Sequence, residues 1–335
     1  MTWTWSNVWH WAAHPLSWPG FVGMLVGAVL VLLLALLVVM YSIYWQRKFI
    51  GWIQWRIGPN RVGPWGLFQT VADVLKLLIK EDVIPTGVDR TLFLIAPIFA
   101  FVPAFLVLSI IPFSAHHVFT ANLGIGVLFY VAVSAITIHG VMLGGWSSNN
   151  KWGLIGGMRS AAQMLSYEVP LGMSIVGVVL MAGTLNLNDI VAAQAHTLWY
   201  VIPQIVGFVV FIIAGTAEMN RTPFDLPEAE SELVAGYHVE YSGFRFAFFM
   251  LTEYVYLLAM GGLMATLFLG GWTGPFLPGW LWFAIKVFAF ITFQFWLQAT
   301  MPRMRQDQLM SFSWKVLLPL AMANLVITAV VKALV

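Results

Sequence analysis

The chain has 335 residues, of which 60% are hydrophobic and only 9% are charged, and its formal net charge is +2. Soluble domains carry about 25% charged residues, so this composition excludes an ordinary soluble protein. There is no cysteine, which excludes disulfides, thiolate-bound iron–sulfur clusters and a c-type haem attachment motif. We therefore predict an all-α polytopic membrane protein, with residues 1–335 forming a single integral membrane domain.

Apolar windows of about 20 residues predict eight membrane-spanning helices. The residues before the first window hold no Lys or Arg, and the window is too long for a signal peptide, so we expect this span to be retained. Prolines within several windows predict kinked helices. The predicted spans are 21–45, 91–111, 124–146, 160–183, 199–218, 246–270, 279–300 and 311–334.

The basic residues alternate from loop to loop. Fourteen of the 16 Lys and Arg residues fall in the first, third, fifth and seventh loops or at their edges. The positive-inside rule then predicts that these loops face the cytoplasm and that both termini face outside. The two long cytoplasmic loops are predicted at 46–90 and 219–245.

The first loop contains a pattern typical of an amphipathic helix lying in the membrane interface. Pro64 is placed to open this helix. Two interpretations are open at this point. The helix is either an ordinary surface helix that anchors the loop, or the lip of a lateral opening through which an amphiphile enters from the bilayer. The apolar residues at helical spacing are Phe68, Val71, Ala72, Leu75, Leu78 and Ile79.

Half of the acidic residues lie in one short stretch whose ends fall inside apolar segments. A carboxylate at the centre of a membrane helix costs roughly 2.5 to 3.5 kcal/mol, so this placement indicates a function. Asp225 and Glu228 have the spacing of a capping box and predict a helix start. Like charges this close raise one another's pKa. The seven acids are Glu218, Asp225, Glu228, Glu230, Glu232, Glu240 and Glu253.

Three acids are predicted at similar depth on the cytoplasmic side of the membrane. Glu253 and Glu168 lie about seven and eight residues into their predicted spans, which is roughly 10–12 Å, and Glu218 closes a third span. Intramembrane acids of this kind are candidates for a functional site. The alternative is a solvated acidic face that neutralises Arg221, Arg245 and basic partners.

Other signals for bound groups are weak. Lys286 is the cation well inside a predicted span, and we expect it to pair with an acid or to extend outward to the interface. Among the seven His residues, only His139 falls within a span, whereas a transmembrane b-type haem needs two facing ligands. Phosphate-loop and catalytic-triad signatures are absent. We expect no metal site, no redox centre and no bound cofactor in this chain itself.

Long motifs, in order along nearly the whole chain, carry a family resemblance. The chain resembles the H-type membrane subunit of bacterial proton-translocating NADH:quinone oxidoreductase (respiratory complex I), which is the mitochondrial subunit 1 family. The motifs include Gln46-Arg47-Lys48, Gly58-Pro59-Asn60, Gly145-Trp146-Ser147-Ser148-Asn149-Asn150, Ser166-Tyr167-Glu168-Val169, Asn220-Arg221-Thr222-Pro223-Phe224-Asp225 and Asp307-Gln308-Leu309-Met310.

The resemblance implies a quinone tunnel shared with the soluble arm and a chain of carboxylates that couples quinone reduction to proton translocation. It implies a tunnel lined by Gln46, Arg47, Arg56, Asp73 and Phe224. It implies a proton-coupling path through Glu168, Glu218, Asp225, Glu228, Glu230, Glu232, Glu240 and Glu253.

The resemblance also implies the surroundings of the chain. The expected partners are the soluble subunits that hold the quinone site and the terminal iron–sulfur cluster, the proton-pumping subunits of the membrane arm, and membrane lipid; no nucleic acid is expected. Quinone is the expected substrate, with FMN and iron–sulfur clusters held by partner subunits. The expected location is the bacterial inner (plasma) membrane.

Two positions depart from the family pattern. Gln46 stands where the family usually has Glu, and Gln298 where it usually has Arg. We predict that the two amides contact each other and replace an ion pair, because replacing both partners of a buried pair can be neutral whereas removing one costs about 3–5 kcal/mol.

Two other functions stay open on the sequence alone. The first is the equivalent membrane subunit of a membrane-bound hydrogenase or formate hydrogenlyase, which need not use quinone. The second is an independent proton-coupled transporter, although internal repeats typical of such proteins are not evident.

Overall fold

The computed structural model describes residues 18–114, 123–227 and 233–334. All regular elements in these ranges are helical, and two short 3-10 turns (Pro64–Gly66 and Gly236–His238) and a π-helical segment (Ser313–Leu317) accompany the α-helices. The α-helices are α1 (Trp18–Ile53), α2 (Gln69–Ile79), α3 (Arg90–Leu108), α4 (Gly126–Ser147), α5 (Lys151–Ala182), α6 (Leu187–His196), α7 (Ile205–Glu218), α8 (Gly243–Phe268), α9 (Gly279–Thr300), α10 (Gln306–Phe312) and α11 (Leu318–Leu334).

The polytopic all-α prediction is confirmed. Within the described ranges, seven helices are long and apolar enough to cross a membrane, and α7 is a shorter apolar helix. The predicted span 199–218 is therefore only partly helical, because residues 200–204 form turns and α7 begins at Ile205. Pro203 gives the physical reason, since it lacks an N–H group and its ring clashes with the preceding helical turn.

Helix α8 lies at the centre of the bundle. It packs against α1, α3 and α9, while α4 packs between α3 and α5, and α5 also contacts α7 and α11. Of the seven candidate spans, α8 is the most buried and α1 the least. Helices α3 and α4 pack closely because of a glycine: a Cβ added to Gly140 of α4 would lie only 2.4 Å from the backbone nitrogen of Ala100 in α3. Side chains on α8 are therefore well placed to join several helices.

The amphipathic helix of the first loop is present as α2. It begins at Gln69 rather than near Pro64, because Pro64 opens a separate 3-10 turn. Leu75 and Leu78 are each 53% exposed on its apolar face. An exposed apolar face of this kind is typical of a helix that rests in the membrane interface.

Lys286 reaches the carbonyl groups of the segment between α8 and α9, which the predicted topology places at the outer face, and it contacts no acid among the described residues. Its ammonium group donates to the carbonyl oxygens of Leu269, Gly271 and Thr273 at 2.6, 2.8 and 2.8 Å. The ammonium also lies 4.6 Å from the centre of the Trp199 ring. An ammonium group has three N–H donors, and the carbonyl oxygens of the segment that follows α8 accept a hydrogen bond from each of them.

Candidate functional site

Glu218 is the most deeply buried acid in the described part of the chain. It is the last residue of α7, is 3% exposed, and accepts a hydrogen bond of 2.6 Å from the hydroxyl group of Tyr256 in α8. Its second oxygen, Oε2, has no hydrogen-bond partner in the part of the chain that the structure describes. A buried carboxylate with one free oxygen is expensive unless water or a proton satisfies it.

A cavity of about 30 Å³ lies beside this carboxylate. This is the volume open to the centres of water molecules, and about 10–15 Å³ is enough for one, so the cavity has room for about two. Its polar lining includes an unpartnered hydroxyl, Oγ1 of Thr137. The lining residues are Thr137, Val141, Met164, Glu218, Met219, Asn220, Tyr237, Phe249, Thr252, Glu253 and Tyr256.

Glu253 lines the same cavity from α8. It is half-buried and accepts a hydrogen bond of 3.4 Å from the hydroxyl group of Tyr237. The cavity therefore joins two carboxylates, Glu218 and Glu253, that belong to different helices. Water inside it can connect their oxygen atoms without any movement of the backbone.

Glu168 approaches this pair from the membrane interior. It lies 17 residues after Lys151, about 26 Å along α5 at 1.5 Å per residue. It is thus nearer the middle of its helix than the predicted boundary suggests, because α5 begins at Lys151 and not near 160. It does not line the cavity, although its carboxylate interacts electrostatically with that of Glu218. Two of the predicted path acids, Glu218 and Glu253, therefore share one cavity.

Two further predicted path acids point elsewhere, and three lie outside the described residues. Asp225 forms an ion pair of 2.8 Å with Arg303, and its side chain is 16% exposed. Glu240 accepts a hydrogen bond of 2.7 Å from Asn150, which caps α5. Neither residue lines the cavity. The acids outside the described residues are Glu228, Glu230 and Glu232.

A second polar cluster contains the two amides that depart from the family pattern. The Gln46 amide donates to Gln298 across 2.7 Å, and its own oxygen accepts a hydrogen bond from the hydroxyl group of Tyr254. The predicted contact between the amides is confirmed. The guanidinium of Arg221 lies 4.4 Å from the centre of the Tyr254 ring. Arg221 is only 6% exposed, and its Nε and one terminal nitrogen have no hydrogen-bond partner among the described residues.

The remaining residues of the predicted tunnel are spread around this cluster. Arg47 forms an ion pair with Asp73, which ties the end of α1 to α2. Arg56 is exposed and its Nε donates to Gln54 at 2.6 Å. Phe224 is 5% exposed and lies in the main core. Arg47, Arg56 and Asp73 thus lie in the first loop or just before it, and Phe224 follows α7.

Adjacent residues connect the two clusters. Glu253 lines the cavity while Tyr254 reaches Gln46, and Asn220 lines the cavity while Arg221 covers Tyr254. A change of charge or hydrogen bonding at the amide cluster therefore acts on residues that are adjacent in sequence to those lining the cavity. Electrostatic interactions between nearby groups inside a protein are much stronger than in water.

Comparison with known proteins identifies the family. The family described as NADH dehydrogenase matches residues 26–329. The H-type NADH-quinone oxidoreductase subunit of Brevibacillus brevis is 60% identical over 320 residues, covering 94% of this chain and 95% of that protein. The chain belongs to the H-type subunit family of NADH-quinone oxidoreductase. The equivalent proteins of Bacillus cytotoxicus (58% over 323 residues, 95% and 96% covered) and Bacillus thuringiensis subsp. konkukian (58% over 325 residues, 96% and 97% covered) are also similar.

Membership of this family agrees with the resemblance carried by the motifs and favours it over the hydrogenase and transporter interpretations. Among the described residues, no group of three or more His, Cys, Asp or Glu side chains could hold a metal ion. Sequence reasoning finds the three intramembrane carboxylates because acids in apolar segments are rare. It misses Tyr256, Tyr237 and Thr137, since buried Tyr and Thr are common in membrane helices and give no such signal.

Proposed function

We propose that this member of the H-type subunit family forms the membrane part of the quinone tunnel and couples quinone reduction to proton translocation through its carboxylates. The first-loop residues Gln46, Arg47, Arg56 and Asp73, together with Phe224, border the tunnel. Glu168, Glu218 and Glu253 begin the proton-coupling path inside the bundle, and Asp225, Glu240 and the loop acids Glu228, Glu230 and Glu232 extend it toward the soluble arm.

The observation that supports this proposal best is the cavity between Glu218 and Glu253. A proton on one carboxylate can pass through water in the cavity to the other. Tyr256 donates a hydrogen bond to Glu218 and stabilises its charged form, whereas burial favours the neutral form. A carboxylate balanced in this way changes its protonation when a charge nearby changes.

The amide cluster supplies the connection to quinone chemistry. Electrons that reach a quinone near Gln46 and Tyr254 add negative charge beside Arg221, which is buried and has unpartnered N–H groups. That charge draws the guanidinium toward the quinone and away from the region of Asn220 and the cavity. The loss of a nearby positive potential then favours uptake of a proton by Glu218.

The same proposal covers the surroundings of the chain. The soluble subunits with the quinone site and the terminal iron–sulfur cluster dock on the side that carries the first loop and the acidic loop, and FMN and the iron–sulfur clusters belong to such partners. Proton-pumping subunits adjoin the membrane face. The chain lies in the bacterial inner membrane with both termini outside, as the alternation of basic residues predicts.

The test uses the whole complex in native membranes. Glu253→Gln removes the charge that faces Glu218 across the cavity, and we expect it to lower NADH:quinone reductase activity at least tenfold. NADH oxidation by an artificial acceptor that takes electrons before the quinone should be unchanged. The control is Asp189→Asn, an exposed acid in the first turn of α6. Full quinone reductase activity in Glu253→Gln would contradict the proposal.

A further inference from the structure

Helix α5 contains a proline in its interior, two residues after Glu168. Pro170 has no N–H group, so it cannot donate to the carbonyl oxygen of Ser166 one turn earlier. Ser166 is only 6% exposed, and a buried carbonyl group without a donor is costly. In a membrane helix there is no bulk water to replace the missing donor. The kinked turn of α5 therefore needs a donor from another element.

Ser313 supplies this donor from the last part of the chain. Its hydroxyl group donates to the carbonyl oxygen of Ser166 across 2.7 Å, and its side chain is fully buried. The two residues are 147 positions apart in the sequence. A serine hydroxyl on a neighbouring helix is one of the groups that can satisfy a carbonyl freed by proline in a membrane helix. Ser313 thus replaces the N–H group that Pro170 lacks.

An irregular helix brings Ser313 to this position. Ser313 is the first residue of the π-helical segment Ser313–Leu317, and its carbonyl oxygen accepts a hydrogen bond from the N–H group of Leu318, five residues later. This segment packs against α5. Single π-helical turns inside α-helices are rare and occur frequently at functional sites. Two irregular turns, one in each helix, therefore meet at a single hydrogen bond.

Glu168 lies within the turn of α5 that this hydrogen bond completes. It is two residues from Ser166 and two from Pro170, so the backbone of the kink fixes the direction of its side chain. Without Ser313 the carbonyl group of Ser166 would be unsatisfied, and a rotation that brought it to another donor would be favourable. The same rotation would move the carboxylate of Glu168.

We propose that Ser313 is a positioning residue for proton translocation. It completes the kink of α5 and thereby holds Glu168 in the position that the proton-coupling path requires. This inference rests on the proposed function. Pro170 and Ser313 act as a matched pair, because the hydroxyl group is needed only where the proline has removed an N–H group. Pro170→Ala restores that N–H group and makes the hydroxyl dispensable.

The rate of NADH-driven proton translocation tests this role. It is measured in inverted membrane vesicles and divided by the amount of assembled complex. We expect the loss of this buried hydrogen bond in Ser313→Ala to lower the rate roughly fivefold. Pro170→Ala/Ser313→Ala should restore the rate. A purely structural hydrogen bond would change the yield or the thermal stability of the complex but not the rate per assembled complex.

Two further variants cover the case in which Ser313→Ala assembles poorly. Ser313→Cys keeps the size of the side chain but offers a weaker donor, so we expect an intermediate rate. The control Tyr167→Phe removes another buried hydrogen bond between α5 and α10, the one of 2.9 Å from its hydroxyl group to the carbonyl oxygen of Leu309. It leaves Ser166 with its donor, and we expect it to translocate protons normally. A normal rate in both Ser313→Ala and Ser313→Cys would overturn the inference.

The outcomes separate this inference from the proposed function. If Glu168→Gln loses translocation while Ser313→Ala keeps it, the positioning role is wrong and the carboxylate path stands. If Pro170→Ala/Ser313→Ala is as slow as Ser313→Ala, the two residues are not a matched pair and the inference is wrong. If Glu168→Gln itself translocates normally, both the path through Glu168 and the positioning role are wrong.

Discussion

The side-chain amide of Gln46 donates to that of Gln298 across 2.7 Å and so joins the end of α1 to the end of α9. The same Gln46 accepts from Tyr254, which lies beneath the buried guanidinium of Arg221. A neutral pair at this place adds no charge to a cluster that already holds one buried cation. This arrangement is the neutral pair expected at two positions where the family resemblance implies an acid and a base.

The contact between Gln46 and Gln298 predicts that a charged side chain is tolerated at either position only when the opposite charge stands at the other. Gln298→Arg alone places a second cation near Arg221 without an acid, and we expect it to lower quinone reductase activity and the yield of assembled complex. The double variant Gln46→Glu/Gln298→Arg should recover both. Because both amides are only half-buried, the free-energy cost of the unpaired charge in Gln298→Arg should be smaller than the about 3–5 kcal/mol of a fully buried lone charge. A double variant as impaired as Gln298→Arg would contradict the account.

Removal of the hydroxyl group of Tyr256 should disturb Glu218 directly. Tyr256→Phe deletes the hydrogen bond to Oε1 and leaves both carboxylate oxygens unsatisfied, which costs about 1–3 kcal/mol for the charged form. We expect Glu218 to hold its proton more tightly and proton translocation to slow. Tyr167→Phe is the matched control, because Tyr167 is also buried but donates to the carbonyl oxygen of Leu309 at 2.9 Å. Equal effects of the two variants would argue against a specific role for Tyr256.

The hydroxyl group of Thr137 tests the role of water in the cavity. Its Oγ1 has no hydrogen-bond partner within residues 18–114, 123–227 and 233–334, so Thr137→Val should leave the stability of the complex nearly unchanged while removing a polar group from the cavity wall. We expect a several-fold loss of proton translocation. In the control Thr266→Val, a buried hydroxyl that donates to Leu263 at 3.0 Å is lost outside the cavity lining, and translocation should persist. A normal rate in Thr137→Val would show that the hydroxyl does not hold water in the path.

We expect Lys286 to contribute to the thermal stability of the complex and not to the coupling of quinone reduction to proton translocation. Lys286→Met leaves three carbonyl oxygens after α8 without their donor, and each buried acceptor costs about 1–3 kcal/mol when unsatisfied. We expect a lower thermal stability of the complex with unchanged turnover per assembled complex. Lys332→Met is the control, because Lys332 is exposed and donates to one carbonyl at 3.2 Å. Reduced turnover in a fully assembled Lys286→Met complex would contradict this assignment.

The spans and the clustered acids can be predicted from the sequence because both depend on local composition. A run of apolar residues is itself the condition for crossing a membrane, and Glu168 within such a run is conspicuous. The contact between Gln46 and Gln298 is also predictable, since two paired departures from a family pattern indicate proximity.

Contacts between distant residues cannot be predicted in this way. Tyr256 and Glu218 are 38 positions apart, and only the packing of α7 against α8 brings the phenol to the carboxylate. The carbonyl oxygens that Lys286 contacts cannot be identified from the sequence, because backbone carbonyls carry no sequence signal. The start of α5 at Lys151 likewise follows from the cap by Asn150 and not from hydropathy, which registers only the apolar part of the helix.

We expect the buried carboxylate of Glu218 to take part in proton translocation. The most direct test measures NADH-driven acidification of inverted vesicles that contain Glu218→Gln, a substitution that keeps the size of the side chain but removes its titration. The account predicts that acidification is lost while NADH oxidation by an artificial acceptor is retained. Acidification at the wild-type rate in Glu218→Gln would contradict it.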